Sequence, residues 1–245
     1  MARDLWKGDR GSFFYLGFAL VALVAALVGF STTYFIPMAT GRFAGPTIAH
    51  LHGLCFFGWI GLLIAQTWLA RRQRLRLHQR LGLAVLPLAL AMAATGIGVG
   101  MFAVRRDLAA GAGETAYSQL VGVVTPMLFL LLFTGIAWAT RRRPAWHKRM
   151  ILLATVAILW PAWFRWRHLL PGIPRPDIWL GVVVSDSLIL VAALRDRIRF
   201  GAIHPAYLIF GSILIAEHVA ETLLYDTPVW RTLAKAMFDL GAIVY

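Results

Sequence analysis

Long apolar runs alternate with short basic stretches along this chain of 245 residues. Seven runs, 12–30, 47–70, 81–104, 117–139, 149–166, 177–194 and 205–225, are candidates to cross a bilayer. A transmembrane helix needs ~20 mostly apolar residues to span ~30 Å of hydrocarbon. After the last run, residues 228–243 form a shorter amphipathic stretch opened by Thr227-Pro228. Its pattern predicts an interfacial helix on the outer surface.

Composition strengthens this reading. Hydrophobic residues make up 60% and charged residues 14%, against roughly 25% charged in a soluble domain. That excludes a soluble enzyme, a disordered chain and a disulfide scaffold. The expected fold is an all-α integral membrane protein, one domain over 1–245, with seven transmembrane helices. Helix 1 is followed by three helical hairpins (2–3, 4–5 and 6–7). The residues after run 1, Ser31-Thr32-Thr33-Tyr34, do not read as a cleavage site, so run 1 is expected to be retained.

The net charge of +13 falls between the runs, where the positive-inside rule reads it. The N-terminus and the 71–80, 140–149 and 195–204 loops carry 16 Lys and Arg, the other side 8. This bias puts the N-terminus in the cytoplasm and the C-terminus outside, in a bacterial inner (plasma) membrane. No basic stripe interleaves with stacking aromatics, so nucleic acid is not expected as a partner. Cys55 is the single cysteine, which excludes an intrachain disulfide and a CxxC site.

The three basic loops share a pattern: each is followed by a histidine at the start of the next helix. These are His78, His147 and His204. Three imidazoles at similar depth form a candidate metal site, because neutral imidazole suits Zn, Cu, Fe and Ni.

A second constellation lies toward the outer side. Run 7 carries Glu217, His218 and Glu221 at helical spacing. His218 sits roughly 10 Å and Glu221 roughly 6 Å below its outer end. Run 2 enters from the same side with His50 and His52, about 6–9 Å deep and about 200° apart on the helix. Ionisable residues within a membrane are costly and mark functional sites. His50, His52, Glu217, His218 and Glu221 are therefore candidate metal ligands, and His218 with His50 or His52 candidate haem ligands. Asp186, between Ser185 and Ser187 in mid-helix 6, is the deepest carboxylate and a candidate for proton transfer. Trp160, Trp163 and Trp166 form a stripe at the outer end of helix 5, as in an interfacial belt.

The stretch from His50 to Gly82, with Gln66 and His78-Gln79-Arg80-Leu81-Gly82, carries a resemblance. With His147-Lys148-Arg149-Met150 and His204-Pro205-Ala206, it resembles an uncharacterised group of bacterial multi-pass membrane proteins over 47–230. That likeness implies the topology. Histidines at the two ends of the helices also resemble those of cytochrome b-type ferric reductases and their relatives. This resemblance implies haems held between paired histidines at two depths, with His218 as the outer partner and His147 or His204 as the inner one.

The leading expectation is a membrane-embedded cofactor- or metal-binding protein holding haem b, Zn or Fe. It would transfer electrons to or from a quinone or respiratory-chain protein, or handle a respiratory cofactor. Bis-His ligation favours electron transfer. The first alternative is an intramembrane zinc hydrolase of a lipid-like substrate. There His50 or His52 with His218 would hold Zn, and Glu217 or Glu221 would activate its water. The second alternative is a transporter, sensor or structural subunit. Retinal bound as a Schiff base is excluded, since no Lys occurs between 205 and 225.

Overall fold

The computed structural model describes residues 13–244. The basic residues Arg3, Lys7 and Arg10, and residue 12 of the first expected span, lie outside these. Among the described residues every regular element is helical. Eight long elements follow in order: α1 Phe14–Ala39, α2 Thr47–Arg71, α3 Leu75–Ala109, α4 Thr115–Ala139, α5 Pro144–Phe164, α6 Asp177–Phe200, α7 Tyr207–Leu224 and α8 Pro228–Gly241. Helix is forced by the solvent: in hydrocarbon, backbone N–H and C=O groups must bond within their own segment.

Helix boundaries follow local chemistry. Pro144 opens α5 and Pro228 opens α8, where a missing N–H costs nothing. Thr227 caps α8 by accepting from the Trp230 N–H. Gly201, with φ of 76°, ends α6 in the left-handed region.

Six helices, α1–α4, α6 and α7, are long and apolar enough to cross a membrane. The chain is a multi-pass membrane protein by this measure. The expected seventh crossing, α5, is not among the six. It opens on the polar run His147-Lys148-Arg149 and is the most enclosed helix, with twelve of its 21 residues buried. It packs against α1, α4 and α6, while α2 packs on α1 and α3, and α3 on α4. α7 lies along α6, and α8 lies over α4. Sequence-adjacent helices do neighbour each other, but the arrangement centres on α5.

The contacts around α5 are close and specific. Gly29 of α1 sits on the Ala162 backbone, where an added Cβ would clash with the carbonyl. Small residues of this kind let membrane helices approach without a hydrophobic driving force. The Trp59 indole donates to Thr155 Oγ1 at 3.1 Å, joining α2 to α5. Such interhelical bonds average ~0.6 kcal/mol in membranes.

The strongest polar link joins α5 to α6. Arg149 Nε donates to Asp196 Oδ2 at 2.7 Å and Nη2 to Oδ1 at 2.6 Å. Both side chains are buried, and Arg149 also donates to the Ala145 carbonyl. The charge run 195–199 reads as a loop in sequence, yet α6 continues through it to Phe200. The expected span stops at 194, before the charges; burial of Asp196 against Arg149 carries the helix's packed face past that point.

The amphipathic stretch after α7 is helical as expected. Trp230 Nε1 donates to the Ser118 carbonyl, and Ser118 Oγ donates to Asp226. Arg231 completes the group with two bonds to Asp226. The Arg231 guanidinium, with the Ser118 hydroxyl, holds the Asp226 carboxyl below the usual carboxylate range.

Removing one partner of a buried ion pair strands the other charge and costs about 3–5 kcal/mol. Asp196→Ala is expected to destabilise the protein by that amount. The double variant Arg149→Met, Asp196→Leu is expected to recover most of it. Helicity followed by circular dichroism against increasing denaturing detergent measures both.

Candidate functional site

Asp186 and His218 form the centre of the polar interior. Asp186 stands just after the π-helical stretch Asp177–Val184 of α6, and His218 about two turns beyond the π-helical stretch Tyr207–Gly211 of α7. A π turn inserts extra residues per turn and re-aims the residues that follow it; such turns recur at functional sites. The result is a contact between His218 Nδ1 and Asp186 Oδ1 at 2.8 Å. Both side chains are buried, 1% and 5% exposed. One proton is held between imidazole and carboxylate at this distance.

The rest of the cluster is polar and open to further bonding. Asp186 Oδ2, His218 Nε2, Ser185 Oγ and both carboxylate oxygens of Glu217 are shielded from solvent and have no hydrogen-bond partner. Glu217 Oε2 lies 3.8 Å from His218 Nε2, a small side-chain rotation from bonding. Glu221, one turn on, is buried against Gly122 of α4, where an added Cβ would fall onto its Oε1. Unsatisfied buried polar atoms cost ~1–3 kcal/mol each. Five of them lie together on two facing helices, which makes this cluster the candidate site.

The outer constellation expected from sequence is only partly assembled. Glu217, His218 and Glu221 stay together, joined by Asp186. His50 and His52 point elsewhere. His50 Nδ1 lies 2.8 Å from Tyr34 Oη, with the Phe43 ring 5.0 Å away. His52 Nδ1 lies 3.2 Å from Thr95 Oγ1, its ring over Gly96 beside the Met127 sulfur. Thr95 spends its own proton on the Ala91 carbonyl at 2.7 Å, so it accepts from the imidazole. The reason lies in helix order: α2 packs on α1 and α3, and α7 on α6. Among the described residues, no group of three or more His, Cys, Asp or Glu side chains is placed to hold a metal.

The second constellation also divides. His78 and His147 come together, ring centres 6.3 Å apart. His204 instead packs edge-on against Trp146, ring centres 4.9 Å apart. Its Nδ1 accepts the Ala206 N–H at 3.1 Å, which makes it a cap for the start of α7. Burial, with Arg149 and Lys148 nearby, pushes the His204 imidazole down to about 3.

Sequence reading singled out Asp186 and His218 separately and missed their pairing. Each lies two turns or so from the end of its helix that is remote from the basic loops. It also missed Arg149 with Asp196, since each lies in a basic run that reads as a solvated loop.

Comparison with known proteins returns no matching family, no matching curated protein and no matching solved structure.

His204 gives a pH prediction. Its folded-state value of about 3 lies below the unfolded value of ~6.5. The unfolded chain therefore binds the proton first, and stability falls as pH drops from ~6.5 towards 3. His204→Asn keeps an acceptor for the Ala206 N–H and removes the titration. Melting temperatures from pH 8 to pH 5 are expected to fall less in the variant than in the unmutated protein.

Proposed function

We propose that this chain is a proton-conducting protein of the bacterial inner membrane, with Glu217, His218 and Asp186 as the relay of its outer half. The observation that carries this reading is the buried Asp186–His218 bond, with the far nitrogen of the imidazole facing a second carboxylate. A proton on Glu217 passes to His218 Nε2, and the imidazolium releases its Nδ1 proton to Asp186. Histidine suits this step because its ordinary pKa lies near neutrality. Intramembrane chains of Asp, Glu and His commonly mark proton pathways.

The proposed topology has seven crossings, with the N-terminus cytoplasmic and the C-terminus outside. Supporting the seventh is the length of α5, 21 residues, or roughly 31 Å. Neighbouring helices enclose it, and Asp196 neutralises Arg149. Supporting the orientation is the excess of Lys and Arg in the 71–80, 140–149 and 195–204 loops. With this orientation α8 lies on the outer surface.

The outer haem and zinc readings required His50 or His52 to face His218, and the helix order works against that. A cofactor reading draws support from a different observation, the pairing of His78 with His147 at the basic end. Electron exchange with a quinone or respiratory-chain protein would take place there.

Reconstituted vesicles carrying a trapped pH dye test the relay, with a potassium gradient and valinomycin supplying the driving potential. The unmutated protein is expected to acidify or alkalinise the lumen well above empty vesicles. Asp186→Asn and His218→Gln, shown to be folded by circular dichroism, are expected to lower the rate at least tenfold. Flux equal to empty vesicles, or flux unchanged in both variants, overturns the proposal.

A further inference from the structure

We propose that His78 and His147 together hold one first-row transition metal at the basic end of the bundle. The argument is independent of the proton relay and begins with tautomers. His78 Nδ1 lies 3.2 Å from the Gln66 carbonyl oxygen, and His147 Nδ1 lies 2.9 Å from that of Ala137. A carbonyl only accepts, so both Nδ1 atoms carry hydrogen. In neutral imidazole that leaves each Nε2 as a bare lone pair. Metal-bound histidines are held in this way, with the non-ligating N–H donated to a carbonyl or carboxylate.

Position and spacing agree. Ring centres stand 6.3 Å apart, and a metal bound at ~2.0–2.1 Å from Nε2 lies roughly 3.2 Å from each ring centre. The separation lies just inside twice that reach, so a shared ion requires the two Nε2 atoms to stand nearly opposite each other across it. The two histidines belong to different helices, α3 and α5, and each is anchored to a further helix, α2 and α4 respectively. Gln66 locks the first of them from both directions, since its Nε2 also donates to the His78 carbonyl at 3.0 Å. Gln66 Oε1 is buried and has no hydrogen-bond partner. Through these bonds to His78 it is an uncommitted oxygen donor tied to the pair, and water would fill the remaining positions.

Two neutral nitrogens and an amide oxygen select an imidazole-binding metal over Mg or Ca. The shared chemistry is a metal centre with open positions for two imidazoles. Its source is a free divalent ion or the iron of a porphyrin.

The experiment uses the full-length protein, stripped with chelator in detergent, and two probes: Zn2+ measured by calorimetry and haemin measured by its Soret band. One probe is expected to bind once per chain. Binding is expected to weaken at least tenfold in His78→Ala and His147→Ala and to stay unchanged in His50→Ala. Zn2+ binding identifies a free ion, and a Soret band lost in the same two variants identifies porphyrin iron. In the unmutated protein the bound probe is expected to protect His78 and His147 from diethylpyrocarbonate, read by peptide mass spectrometry. That readout stands even where a variant fails to fold. Absence of stoichiometric binding by either probe, binding that survives both substitutions, or no protection overturns the proposal.

Discussion

The bidentate pair between Arg149 and Asp196 lets a helix with a cationic first turn sit at the centre of a hydrophobic bundle. A guanidinium buried without an anion would be driven towards solvent, carrying the start of α5 with it. With Asp196 on α6 and the Ala145 carbonyl as acceptors, the charge is satisfied inside the protein. The rest of the arrangement follows from α5 standing there. α1 closes on it through Gly29, α2 bonds to it through Trp59, and α4 and α6 flank it. The same placement sets His147 beside His78 and puts Trp146 against His204.

The polar interior divides into two ends with opposite states of satisfaction. At the basic end the histidines are committed at Nδ1 to backbone carbonyls or an N–H, so their orientation is fixed and their tautomers are defined. At the other end Asp186, Glu217 and His218 retain several uncommitted atoms. For His78 and His147, whose Nδ1 atoms donate to carbonyls, a fixed ring with its lone pair at Nε2 suits ligation, where geometry must persist. Exchangeable partners suit proton transfer, where bonds must be made and broken in turn. The π-helical stretches before Asp186 and His218 belong with the second kind of site.

Much of the framework was legible along the chain. Apolar run lengths located the long helices to within a few residues at most boundaries, and Thr227-Pro228 announced α8. Asp186 and His218 stood out as ionisable residues in apolar runs. What failed was the assumption that histidines at equal depth are neighbours. His50 and His52, expected at one level with His218, turn to Tyr34 on α1 and Thr95 on α3. Equal depth is a one-dimensional statement, and it leaves the lateral order of helices undecided. The end of α6 was misread for a related reason: hydropathy treats Asp196 as a charge facing water, and only its distant partner makes it an interior residue.

By itself the sequence determined solvent, class and element. Apolar runs of this length cannot stay in water, and within hydrocarbon only internally bonded backbone persists. It also determined which residues would be costly to bury. The tertiary structure decided which helices meet and which costly residues are thereby paired. In a water-soluble protein, the 3.6-residue period of apolar positions reveals the buried face of a helix. In lipid that signal weakens, because the face turned to the bilayer is as apolar as the face turned to a neighbour. α1 is apolar nearly all round, so its sequence does not say that Gly29 and not Gly17 meets α5. That choice was left to small residues, buried charges and indole N–H groups, whose partners lie far away along the chain.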